Sequence, residues 1–266
     1  MNIYWRELKT YKKSTLIWTF SLTALAIFYL TMFPSFTKDA AASRQALSSL
    51  PVSIRNAFDL SLDSFFTILG FYSYVLSFVL LAGAVQAMNL GTGLISKENA
   101  YKTADFLLSK PISRVSIVTN KILAALSVLF ITNVVFISFS FVYAQLISKA
   151  NFSSKKFLML ALILFFIQII FLSIGIFFSV ALPKVKSVLS ISLPVVFGFY
   201  IIGTLGAIIG NDNVRYISPF KFFSTDYIIR HGQYESLYII IEFAIIIMAI
   251  SCSYLIYIKK DVRSAS

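Results

Sequence analysis

Acid–base, nucleophilic and metal-assisted chemistry each need clustered side chains of a few types, and this sequence offers few of them. It has one histidine, His231, and one cysteine, Cys252. No zinc-ligand spacing, nucleophile–base arrangement or carboxylate pair occurs. Cys252 lies in an apolar run and has no second cysteine to bridge. A phosphate loop of the form Gly-x-x-x-x-Gly-Lys-Ser/Thr is also missing, because Gly91-Thr92-Gly93 and the glycines from Gly198 to Gly210 lack the lysine. What remains is polar residues inside long apolar runs. Glu242 stands about 7–8 Å in from Leu237 at 1.5 Å per residue. A carboxylate in lipid has to be protonated, paired or turned toward a wet cavity. Two readings of it stay open: a contact for substrate or a proton, and a shallow carboxylate hydrogen-bonded to Tyr238 one turn earlier. Asn133 and Gln168 are further candidates for a pathway. For them, as for Gln86, Asn89 and Gln145, hydrogen bonding between helices is the simpler role.

Two other stretches carry patterned polarity. From Gly91 to Arg114, Ser96 is placed to cap a helix, Glu98 falls in its first turn, and Tyr101, Ala104 and Leu108 recur on one side. Pro111 disfavours helix in Lys110, which closes the element. A short helix of mixed surface can dock into a groove on another protein. The same residues also suit a solvated connecting loop. In residues 1–14, Tyr4, Leu8 and Tyr11 share one helical face, while Arg6, Lys9 and Lys13 share another. With Trp5 at the headgroup boundary, this predicts a helix lying in the membrane interface.

The elements that must position these residues follow from composition. Of 266 residues, 58% are hydrophobic and 13% charged, and the mean hydropathy is +0.84. Soluble domains carry about 25% charged residues, so a soluble enzyme and a disordered chain are excluded. About 20 apolar residues cross a bilayer. Six segments qualify, at about 15–33, 65–90, 115–147, 157–182, 187–210 and 237–258. The expected fold is an all-α membrane protein in a single transmembrane domain. It combines six spans with an N-terminal interfacial elbow helix and a short cytoplasmic helix between the second and third spans. The net charge is +12, but the basic residues fall mainly between apolar runs, as membrane-flanking cations do. Nucleic acid is therefore not an expected partner, whereas the lipid bilayer is. With both ends cytoplasmic, 14 of the 23 Lys and Arg fall on the inner side and 9 on the outer, which favours that orientation. In the first outer loop, Leu47, Leu50, Ile54 and Phe58 are spaced for a small helix.

Certain of these residues resemble a known family. Glu98, the run from Phe106 to Arg114 (Phe-Leu-Leu-Ser-Lys-Pro-Ile-Ser-Arg) and Lys121 are similar to the first cytoplasmic loop of ABC-2 type permeases, the membrane subunits of bacterial ABC exporters. Ser218-Pro219-Phe220-Lys221-Phe222-Phe223 is similar to the family's stretch before the last span, and Lys102 stands where the family usually has glycine. The resemblance implies that residues around Glu98, Tyr101, Thr103, Leu107 and Leu108 form a coupling helix seated in a separate ATP-binding subunit. Tyr4, Trp5, Leu8 and Tyr11 would belong to the elbow, and the segment before the last span would be a pair of short helices dipping into the outer leaflet. The chain itself would hold no cofactor and catalyse nothing; ATP and Mg would be bound by the partner subunit. A second permease copy or paralogue would complete the pathway, in a bacterial plasma membrane. The cargo stays open. The rival readings are an ATP-independent transporter or channel, which would place more ionisable groups at mid-bilayer, and a scaffold or sensor that binds an ATPase and moves nothing.

Overall fold

The computed structural model describes residues 3–57, 60–100, 113–148, 150–182, 185 and 187–259, with the backbone alone for Asn56, residues 97–100 and Asp212. In chain order the helices are α1 (Ile3–Leu30), α2 (Phe33–Lys38), α3 (Ala40–Ser48), α4 (Val52–Ala57), α5 (Ile68–Ala100), α6 (Arg114–Ile147), α7 (Ser154–Ala181), α8 (Leu189–Ile209), α9 (Thr225–His231) and α10 (Ser236–Lys259). Two 3-10 turns, Asp212–Tyr216 and Pro219–Lys221, lie between α8 and α9. No strand occurs among the described residues. Among the described residues, six helices (α1, α5, α6, α7, α8 and α10) are long and apolar enough to cross a membrane, where only a helix or a closed barrel satisfies its own backbone. The protein is an all-α, multi-pass membrane protein.

Serine caps fix two of the starts. Ser113 accepts from Ser116 N at 3.2 Å ahead of α6, and Ser153 accepts from Lys156 N at 3.4 Å ahead of α7. At the other end of α8, Gly210 adopts φ 76°, a left-handed stop that favours glycine.

Several expectations are corrected. Residues 3–14 are not a separate elbow, because Ile3–Leu30 is one uninterrupted helix. Its buried stripe is Ile3, Glu7, Tyr11, Thr15 and Thr19, one residue round from the expected face, so Tyr4 and Leu8 are half-buried. α5 runs on through Ala100, which puts Ser96 inside a helix rather than at its start. Its hydroxyl donates to the Thr92 carbonyl instead of accepting from a backbone amide as a cap does. In the first outer loop, Leu47 falls in α3 and Ile54 in α4, separated at Pro51, so one expected helix is two. Phe58 lies outside the described residues.

α5 and α7 form the centre of the bundle. Buried residues make up 72% and 61% of their most apolar windows, against 22% for α8 and 11% for α10. The two central helices run parallel in constant register. Tyr72 stacks on Phe157 with centroids 4.3 Å apart, Gly83 meets Leu164 and Gln168, and Gly91 meets Leu172 and Gly175. A Cβ at Gly91 would sit 2.3 Å from the Leu172 carbonyl oxygen, and one at Gly175 would sit 2.7 Å from that of Met88. Small residues let the two backbones touch, which is how helices associate where lipid offers no hydrophobic drive.

Candidate functional site

The starts of α1 and α6 and the ends of α5 and α10 share one face of the bundle, here the termini face. Lys121 is 2% exposed, and its Nζ donates to Glu7 Oε1 at 3.1 Å and to the Leu94 carbonyl at 2.8 Å. Glu7 is itself buried. A buried charge needs a partner and further hydrogen bonds to offset its desolvation, and this pair ties α1, α5 and α6 together. Nearby, Arg114 donates to the Ile258 carbonyl at 3.1 Å and Thr119 meets the Tyr254 hydroxyl at 2.7 Å, which joins α6 to the end of α10. Tyr4 reaches Ser127 at 2.9 Å, and Trp5 stays 59% exposed.

Deeper in the bundle, a chain of uncharged polar groups crosses four helices. Thr19 of α1 meets Thr132 of α6 at 3.0 Å, and Gln86 of α5 donates to Thr132 at 3.2 Å. Gln168 of α7 donates to Gln86 Oε1 at 3.0 Å and accepts from Asn133 at 2.5 Å. All five residues are buried. The structure thus brings Asn133 and Gln168 together in a hydrogen bond between α6 and α7.

On the opposite face, Arg215 pairs with Glu235 at 2.8 Å and lies over the Tyr238 ring at 4.2 Å. Tyr238 stacks with Phe222 and Phe223 stacks with Phe166, which seats the segment between α8 and α10 on its neighbours. Tyr234 donates to the Met159 carbonyl at 2.7 Å, and burial pushes its hydroxyl well above the usual tyrosine range. Two 3-10 turns and α9 occupy the place of the two expected short helices. One turn beyond Tyr238, Glu242 is 2% exposed and neither carboxylate oxygen has a hydrogen-bond partner among the described residues. The hydrogen bond to Tyr238 is therefore not formed.

The family model described as ABC-2 family transporter protein matches residues 1–262. The chain belongs to the ABC-2 transporter family. No curated protein and no solved structure matches it. As an ABC-2 family member it is the permease of an ABC transporter, a membrane transport component, and the match takes in all six long helices.

Within this ABC-2 permease the expected coupling residues are placed unevenly. Glu98 lies in the last turn of α5, with its backbone alone described, and Tyr101, Thr103, Leu107 and Leu108 lie outside the described residues. Three residues that matter were missed by sequence reasoning as site members: Glu7, Thr19 and Thr132. Glu7 carried a signal, as the lone acid among Arg6, Lys9, Lys12 and Lys13, four residues from Tyr11 and eight from Thr15 on the buried stripe. The family resemblance includes Lys121 but gives no sign of its partner Glu7.

Proposed function

We propose that the chain is the permease subunit of an ATP-driven exporter and supplies half of a translocation pathway by alternating access. The observation that carries this is the family match over residues 1–262, which includes the stretch between α5 and α6. Two ATP-binding subunits dock on the termini face, which is cytoplasmic. The excess of Lys and Arg on that side supports the orientation. The partner binds and hydrolyses ATP with Mg; this chain supplies the coupling surface at Glu98, Tyr101, Thr103, Leu107 and Leu108. Tyr4, Trp5, Leu8 and Tyr11 line the first turns of α1, where exposed Trp5 and the exposed lysines Lys9, Lys12 and Lys13 meet the headgroup layer. A second permease, identical or paralogous, completes the pathway. The sparse burial of α8 and α10 supports this, because it leaves faces for lipid or another copy.

Glu242 is the pathway group of this reading. A buried carboxylate without a partner is costly in lipid, and a passing cargo or proton relieves that cost.

The test is purification from native membranes through a tag on this chain, with mass spectrometry of what accompanies it. An ATP-binding subunit should co-purify, and should be lost from the double variant Y101E/L108E. Undiminished association in that variant removes the coupling role. Transport by the purified chain in vesicles without any ATPase would establish the ATP-independent reading instead. Accumulation of cargo in inside-out rather than right-side-out vesicles gives the direction.

A further inference from the structure

Between Gly91 and Ser96 the backbone of α5 is met by side chains from two neighbouring helices. In a regular helix the amides of Ile95 and Ser96 donate to the carbonyls of Gly91 and Thr92. Here both amides donate to Ser179 Oγ of α7, at 3.0 and 2.9 Å, and the Ser96 hydroxyl donates to the Thr92 carbonyl at 2.5 Å. Two residues beyond Thr92, the Leu94 carbonyl accepts from Lys121 at 2.8 Å. Side chains entering the backbone ladder are a recognised cause of helix bending. One turn earlier, Gly91 is pressed on Gly175 with no room for a Cβ on either. A fixed contact is thus followed directly by a stretch whose ladder is shared with two neighbouring helices.

We propose that Gly91–Ser96 is a hinge in α5, and that Ser179 and Lys121 are positioning residues that latch it. The latch sets the angle at which the last turn of α5, through Ala100, leaves the bundle. Latched, the two amides are satisfied by Ser179. Released, they return to the carbonyls of Gly91 and Thr92. The carbonyls of Gly91 and Thr92 stand within the same helix as acceptors, so release leaves neither buried amide unpaired. Glu7 holds the Lys121 ammonium in place from α1, which makes the latch sensitive to movement of three helices at once. The functional use of the hinge rests on the reading above, in which the stretch after α5 meets an ATPase; its mechanics do not.

The experiment measures the hinge directly. The full chain, with Cys252→Ser to clear the native thiol, carries spin labels at Asn99 and at Lys12, an exposed position on α1. Distance distributions are recorded in lipid nanodiscs. S179A and the charge-balanced double variant E7Q/K121M should each move the ratio of two distance populations at least fivefold. S179T, which keeps the hydroxyl, should restore the wild-type ratio at an unchanged melting temperature. A distribution unchanged in both S179A and E7Q/K121M overturns the hinge. S96A serves as a second route to the same shift if S179A fails to fold. In the complex purified through a tag on this chain, S179A should keep the ATPase bound while changing its hydrolysis rate at least threefold. If no ATPase accompanies the chain, the transporter reading fails and the distance measurement still decides the hinge.

Discussion

At mid-span, Thr19, Gln86, Thr132, Asn133 and Gln168 join α1, α5, α6 and α7 through groups that carry no charge. Near the termini face, Glu7 and Lys121 join α1, α5 and α6 through one full charge on each side. The neutral chain tolerates the loss of a link, because an amide or hydroxyl in a bundle readily finds another partner, and each such bond averages about 0.6 kcal/mol. The ion pair does not, since removing one partner leaves the other charge buried. The difference teaches where the molecule has been made robust and where it has been made conditional. The uncharged links keep four helices in register, and the charged link joins the helix end that leads toward the proposed partner.

The comparison can be broken most directly at the ion pair. K121M alone strands the Glu7 carboxylate and should cost about 3–5 kcal/mol, seen as a large fall in melting temperature in detergent. E7Q/K121M removes both charges and should recover most of it. If K121M melts with the wild type, the pair is solvated and the contrast with mid-span disappears. Next in size is G175L, which drives a side chain into the backbone of α5 and should cost about 1–3 kcal/mol by the same measurement. Q168L is smaller, at about 1.2 kcal/mol, because Gln86 and Asn133 each lose one neutral partner worth about 0.6 kcal/mol. A loss as large as that of K121M would mean that the uncharged chain is no more forgiving than the charged pair. Smallest of all is E242Q, which removes no hydrogen bond the structure contains. It should leave the melting temperature unchanged or raise it, and should change only cargo-dependent ATP hydrolysis by the complex. A clear drop in stability would show that Glu242 has a partner in the assembled protein.

The six apolar runs were legible because hydrocarbon thickness imposes a length and a composition on any span. Helix ends were less so. Lys12 and Lys13 read as a boundary, yet lysine is a good helix former, and α1 passes through them without a break. Gly91 and Gly93 read as the start of a loop, whereas Gly91 is glycine because the backbone of α7 lies against it. Ser96 has the chemistry of a cap, but a serine inside a helix turns its hydroxyl back to a carbonyl four residues earlier, as this one does. In the candidate site, Asn133, Gln168 and Glu242 were conspicuous as polar residues in apolar surroundings. Their partners were not, because a sequence shows which groups need one and is silent on which helix brings it. Glu7 and Lys121 are 114 residues apart, and only the parallel packing of α1 on α6 makes them neighbours.

The parallel pairing of α5 and α7 has a consequence for how the chain is made. Two parallel crossings need a third between them, so the tightest interface in the molecule stays unformed until α6 and then α7 have left the ribosome and entered the bilayer. Until that moment Gln86 lacks its Gln168 partner, although Thr132 of α6 can already accept from it, and the bare backbone around Gly91 has no helix laid against it. Biogenesis is therefore the stage at which the centre of the bundle stands without its tightest contact.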